Sequence, residues 1–146
     1  MIFFYRILIN CVFIFSPLII FFRILNNKES PIRFKERYCL FSKKKIKGNL
    51  IWLHVASVGE LMSVVPLIFK LEKKKNIKQI LVTTTTISSA NIFKKFKFKK
   101  TLHQFFPIDN NFLAKKFINY WKPELAIFVE SEIWPNILIN LKKKIN

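Results

Sequence analysis

The sequence predicts an α/β protein, a Rossmann-like parallel sheet preceded by an apolar helix. Three observations carry this. Short β-rich apolar runs alternate with segments whose apolar residues recur at three- and four-residue steps. Carboxylates and a threonine run stand where the predicted strands end, and the first two dozen residues are almost free of charge. With 146 residues, 51% of them hydrophobic, the chain can build one packed core even after that opening block is set aside.

The opening block has no charge from Ile7 to Phe22 and is bracketed by Arg6 and Arg23. A helix over that run would rise about 24 Å, short of the ~30 Å hydrocarbon layer. A span would therefore need both arginines to snorkel, and Pro17 argues for a kink or an interfacial lie. The expectation is a membrane anchor over residues 1–25, spanning or half-embedded, with a buried core helix as the other reading of such apolarity. Phe21-Phe22-Arg23-Ile24-Leu25 offers no small-residue cleavage site, which speaks against a removable signal peptide. Lys28, Arg33, Lys35, Arg37 and Lys43 to Lys45 follow the block, against Arg6 before it, so the positive-inside bias puts the globular part in the cytoplasm. Residues 26–48 read as a basic connector and 49–146 as the Rossmann-like domain.

In that domain Leu50 to Val55 is a buried-strand run. A helix follows, with Leu61, Val64, Val65, Ile68 and Leu71 on one face and Pro66 expected to kink it. Gln79 to Thr84 is the second strand, Ala90 to Phe96 a short helix, Leu102 to Phe106 the third strand, Phe112 to Tyr120 a helix and Leu125 to Val129 the fourth strand. Pro135 suits the first turn of a last helix. Such alternation implies right-handed crossovers and a parallel sheet, with ligands beyond the carboxyl ends of the strands. Glu60, Thr84, Asp109 and Glu130 all fall there. A doubly wound domain normally continues into further strands, so this one reads as cut short.

The net charge of +18, from 26 Lys and Arg against 8 Asp and Glu, favours polyanionic partners without choosing among nucleic acid, anionic lipid and phosphorylated sugar. The lysine clusters sit mainly at the ends of elements, where solvated charge is ordinary. Two cysteines, Cys11 and Cys39, without a CxxC or a neighbouring histidine, build neither a disulfide framework nor a zinc site. Two glycines, Gly48 and Gly59, cannot form a GxGxxG or P-loop, which removes nicotinamide, flavin and nucleotide binding by those fingerprints. No metal and no cofactor are expected.

Ser57-Val58-Gly59-Glu60 is a strand-to-helix turn in which Gly59 leaves room for a ligand and Glu60 can serve as a general base. Ser57 and Glu60 also have capping-box spacing, in which the carboxylate only satisfies the helix start. Glu130 and Glu132, just past the last strand, are candidates for the same cleft or for helix-start electrostatics. Thr83 to Thr86 can bond sugar hydroxyls or simply reflect β-propensity, and Asp109 is a site candidate or a turn residue. His54 and His103 read as packing histidines.

Taken in order, the apolar start, Glu36-Arg37-Tyr38, Trp52-Leu53-His54, Ser57-Val58-Gly59-Glu60, Pro66-Leu67, Thr83-Thr84-Thr85-Thr86, Pro107-Ile108-Asp109 and Glu130-Ser131-Glu132-Ile133-Trp134-Pro135-Asn136 resemble the N-terminal half of the Kdo transferases. Those enzymes add 3-deoxy-D-manno-octulosonic acid (Kdo) to the lipid A precursor in lipopolysaccharide core biosynthesis. The resemblance implies two Rossmann-like domains of the GT-B kind, the acceptor on the N-terminal one and the CMP-Kdo donor mostly on the other. It implies an inner-membrane protein, an inverting displacement and Glu60 as catalytic base. Ser57, Gly59, Thr84, Asp109, Glu130 and Glu132 would then bind or support the acceptor. The chain corresponds to the acceptor half and, without a CMP pocket, is expected to be inactive alone. Cys39 departs from the family's usual Gly, and Ser88-Ser89 from its usual Thr-Gly. Two other classes compete: a non-catalytic membrane-surface module binding anionic lipid, and a nucleic-acid binder suggested by charge alone, which is not the expected partner.

Overall fold

The computed structural model describes residues 2–129 and 133–145. Its elements are helix α1 (Ile2–Leu25), a 3-10 turn (Arg33–Tyr38), β1 (Leu50–Val55), α2 (Val58–Glu72), β2 (Gln79–Thr84), α3 (Ile87–Phe93), β3 (Thr101–Phe105), α4 (Asn111–Trp121), β4 (Leu125–Phe128) and α5 (Pro135–Ile145). The four strands form one parallel sheet in the order β3-β2-β1-β4. The predicted α/β class and parallel sheet are therefore present. The chain leaves β3 at one edge and returns to the far side of β1, which makes the β1/β4 boundary the switch point where such sheets open a ligand crevice.

Alternation along β1 divides the core into two layers. Leu50 and Trp52 face α4 and α5, packing with Phe106, Leu113, Phe117, Trp121 and Ile137. Leu53 and Val55 face α2 and α3, packing with Leu61, Val64, Ile68 and Phe93. Both faces of the central strands are covered, which is why they read as apolar runs. Helices α2, α3 and α4 each start on a side-chain cap: Ser57 accepts from the Glu60 amide, Thr86 from the Ser89 amide, and Asn110 from those of Phe112 and Leu113. Thr86 is why α3 begins before the predicted Ala90 and ends at Phe93. Helix α2 runs on through Pro66. That residue and Met62, whose carbonyl loses its partner, lie on the exposed side.

Helix α1 is longer than the charge-free run that predicted it and is about 36 Å long at the usual rise. It is long and apolar enough to cross a membrane. It passes Pro17 without ending, and the Ser16 hydroxyl donates at 2.6 Å to the Phe13 carbonyl that Pro17 leaves unbonded. Only Ser16 and Ile20 are buried, so in this chain α1 is not a core helix. Arg6 and Arg23, which a span would need to snorkel, bond to protein here. Arg6 donates to Asn136 and Asn111, and Arg23 to the Lys28 carbonyl.

Candidate functional site

The β1–α2 junction puts Glu60 in the first turn of α2, beside the switch point. The residue is 8% exposed, and its carboxylate accepts the Ala56 amide at 2.7 Å through Oε2. Ser57 Oγ in turn accepts the Glu60 amide at 3.2 Å. The capping geometry is thus realised in part, because Glu60 bonds the residue before the cap rather than the cap itself. Its Oε1 has no hydrogen bond to a described residue. Gly59 follows the cap with ordinary backbone angles, and an added Cβ would meet nothing closer than Ser57 Oγ at 3.9 Å. Glycine costs about 1 kcal/mol against alanine in a helix, and the fold itself gives no reason for it here.

The threonine run divides its work. Thr83 Oγ1 is buried between the Trp52 indole N–H at 2.8 Å and His54 Nδ1 at 2.9 Å, while His54 stacks on Phe106. Thr84 is fully buried with its hydroxyl 2.9 Å from His103 Nε2, so it faces the interior rather than a ligand. Arg33 lies 2.8 Å from His103 Nδ1. An arginine only donates, so Nδ1 accepts and the Nε2–H donates to Thr84. Burial, then repulsion from Arg33 and Arg37, pushes the His103 pKa down to about 3. Thr85 is the member that reaches a cleft, and its hydroxyl donates to the Ala56 carbonyl at 2.9 Å. Ala56 therefore links Thr85 to Glu60.

That cleft, of about 280 Å³, lies between α1 and the carboxyl ends of β2 and β3. Ile9, Val12, Ile19 and Ile20 form one wall, Phe106, Pro107, Ile108 and Trp134 much of the other, with Arg37, Glu29, Thr85 and Asp109 as its polar groups. Glu60 is not among the lining residues. Asp109 is a structural hub: its carboxylate accepts from the amides of Asn136 at 3.0 Å and Ile137 at 2.9 Å, at the start of α5, and from the Tyr5 hydroxyl. Burial raises its pKa, against those hydrogen bonds.

Sequence reasoning missed the charged network behind the cleft. Arg37 donates to Glu29, to the Thr85 carbonyl at 2.7 Å and to the Phe106 carbonyl at 3.1 Å. Glu36 accepts a two-pronged Arg33 contact, the Ser42 hydroxyl and the Phe105 amide. Both guanidiniums lie over the Phe105 ring. Tyr38, next in the chain, meets Ser16 of α1 at 2.8 Å. The available signal was that acidic residues are few and two of them fall in this basic stretch. Cys39 holds a left-handed backbone (φ 54°), the conformation that glycine adopts without strain, and burial raises its thiol to about 12. Glu130 and Glu132 lie outside the described residues. Among the described residues no cluster suits a metal ion.

The fold is a Rossmann-like parallel sheet with a buried carboxylate beside its switch point. The family model described as 3-deoxy-D-manno-octulosonic-acid transferase (kdotransferase) matches residues 32–145. The chain is 42% identical over 128 residues to the 3-deoxy-D-manno-octulosonic acid transferase of Rickettsia bellii, covering 88% of this chain and 31% of that protein. It is 36% identical over 141 residues to a probable mitochondrial 3-deoxy-D-manno-octulosonic acid transferase of Arabidopsis thaliana, covering 94% and 32%. With the Haemophilus influenzae transferase it shares 33% over 130 residues, covering 86% and 30%. The chain belongs to the Kdo transferase family and spans under a third of the length of these curated relatives.

Proposed function

We propose that this chain supplies the acceptor side of Kdo transfer to a lipid A precursor. In this reading Glu60 accepts the proton of the attacking sugar hydroxyl while that oxygen bonds the anomeric carbon of Kdo. The bond from that carbon to the CMP phosphate breaks in the same inverting displacement, and CMP leaves with its electron pair. A sugar hydroxyl is a weak nucleophile until a base takes its proton, which positioned carboxylates do with rate gains of about 10²–10⁴. The donor pocket would belong to the part of the family's length that this chain does not span.

One observation carries the reading. Glu60 is fixed by a single amide hydrogen bond, retains an oxygen with no described partner, and stands next to a glycine that opens space the fold itself does not need. The mostly apolar cleft, which Glu60 does not line but reaches through Ala56 and Thr85, supports a lipid-borne acceptor because it offers its chains an apolar wall. Glu130 and Glu132 would support the acceptor, Asp109 would do so only through the start of α5 that it holds, and α1 would hold the protein at the cytoplasmic face of the inner membrane. The test is Glu60→Gln in a protein completed with the remaining family length. Loss of Kdo transfer with unchanged thermal unfolding is expected, and wild-type rates would return Glu60 to its capping role.

A further inference from the structure

Helix α1 meets the rest of the chain along one narrow seam. Arg6, Ile9, Phe13, Ser16, Ile20 and Arg23, at alternating steps of three and four, are covered or half-covered, and so are their neighbours Tyr5, which donates to Asp109, and Ile24. The seam is polar where it counts: Arg6 bonds Asn136 and Asn111, Ser16 bonds Tyr38, and Asn10 beside it accepts from Asn110 at 2.7 Å. Around the rest of the circumference large apolar side chains stand exposed, from Phe4 at 75% through Ile14 at 71% to Leu25 at 61%. Two more apolar residues extend that surface. Phe112, 70% exposed, follows the Asn111 that Arg6 holds, and Ile133, 73% exposed, precedes the Trp134 of the cleft.

From Arg6 to Arg23 the seam covers about 26 Å of helix, close to the full ~30 Å of hydrocarbon. An upright α1 would therefore carry its docked partners into the lipid, including Asp109, Glu29, Arg37 and the open ends of the strands. Charged groups and unpaired backbone are not tolerated there. We infer that α1 does not span but lies along the plane of one lipid leaflet, its apolar circumference in the acyl layer and its polar seam on the domain. The carboxyl edge of the sheet thereby faces the bilayer. The exposed Lys47, Lys73 to Lys75, Lys78 and Lys99 lie at the opposite edge, leaving exposed Lys28 just after α1, so the attachment is mainly apolar. This deepens the membrane side of the proposed function and does not depend on Glu60.

Positions 4, 11, 18 and 25 lie seven apart on the exposed side, and position 11 is already an exposed cysteine, whereas Cys39 is buried. Nitroxide labels are placed on native Cys11 and, with Cys11→Ser, on Phe4→Cys, Leu18→Cys and Leu25→Cys, in the full chain bound to phosphatidylcholine vesicles. Depth is read from relaxation by oxygen against a water-soluble nickel complex. All four labels are expected in one layer, about 5–10 Å below the same headgroups. A label at Cys11 near the bilayer centre, with positions 4 and 25 toward opposite faces, overturns the inference. So does failure to float with vesicles, which with a dimeric chain in solution would assign the face to a second copy. No sugar transfer is measured, so either failure leaves the role of Glu60 standing.

Discussion

The two edges of the sheet handle charge in opposite ways. At the carboxyl edge Glu29, Glu36, Glu60 and Asp109 are all buried and each is held by named donors. At the amino edge Lys47, Lys78 and Lys99 stand exposed just before β1, β2 and β3, and Lys73 to Lys75 are exposed at the end of α2. Lys45 and Lys144 even share a neighbourhood with Lys122 and are pushed to lower pKa by burial, then by that repulsion. Much of the net charge of +18 therefore lies away from the candidate site, where four of the eight acidic residues are buried, while Glu72 holds the start of β3 at the amino edge. Of the basic residues that the sequence tied to the membrane, Lys28 lies just after α1 and Arg33 and Arg37 are bonded into the carboxyl edge.

If the carboxyl edge is the working one, the largest effect belongs to Glu60→Gln. Transfer by a completed enzyme should fall by about 10²–10⁴ with little change in melting. Next is Arg37→Met, which leaves buried Glu29 with only the 3.6 Å Arg23 contact and the Ser30 amide and strips two carbonyls of this donor. Breaking such a pair costs about 3–5 kcal/mol, measurable by denaturant unfolding. The third effect is in pH. His103 is neutral in the folded chain with its pKa depressed to about 3 from 6.5. The unfolded chain thus takes the proton first, so this group's stabilisation is complete above about 6.5 and drains away as pH falls toward 3. His103→Gln, which can still accept from Arg33 and donate to Thr84, should flatten that part of the acid unfolding curve.

What the sequence made legible was local. β1 and β2 have their predicted ends, because burial on both faces writes an apolar run into these central strands, and the edge strands β3 and β4 differ by a residue. The junction at Ser57 to Glu60 was legible because a cap, a glycine and a carboxylate are adjacent residues. What could not be read was pairing at long range. Arg33 meets His103, and Arg37 meets Thr85 and Phe106, across dozens of residues, so a stretch that read as a basic connector is tied into the sheet. Arg6, Asn10 and Ser16 were visible as polar positions inside α1, yet only the fold shows that they share a seam. Thr84 and Asp109 were chosen for standing at strand ends, a rule that locates residues without saying whether their side chains are spent inward.

Smaller effects sharpen the contrast. Gly59→Ala should leave stability unchanged or raise it by up to about 1 kcal/mol, since the new methyl meets only open space inside the chain. Transfer should nevertheless fall, because the same methyl would stand where a ligand approaches. A gain in melting temperature together with full activity would remove the glycine from the site. The smallest effect is expected at the other edge. Lys73→Gln, Lys74→Gln and Lys75→Gln together remove three charges from exposed positions at the end of α2. Surface changes of this kind usually stay within about ±0.5 kcal/mol each. Because these lysines belong to the edge opposite α1, binding to phosphatidylcholine vesicles should not change, and adding anionic lipid should alter affinity little for either form. A steep preference of the parent chain for anionic vesicles that the triple variant loses would show that the amino edge meets the membrane, and would reverse the assignment of the two edges.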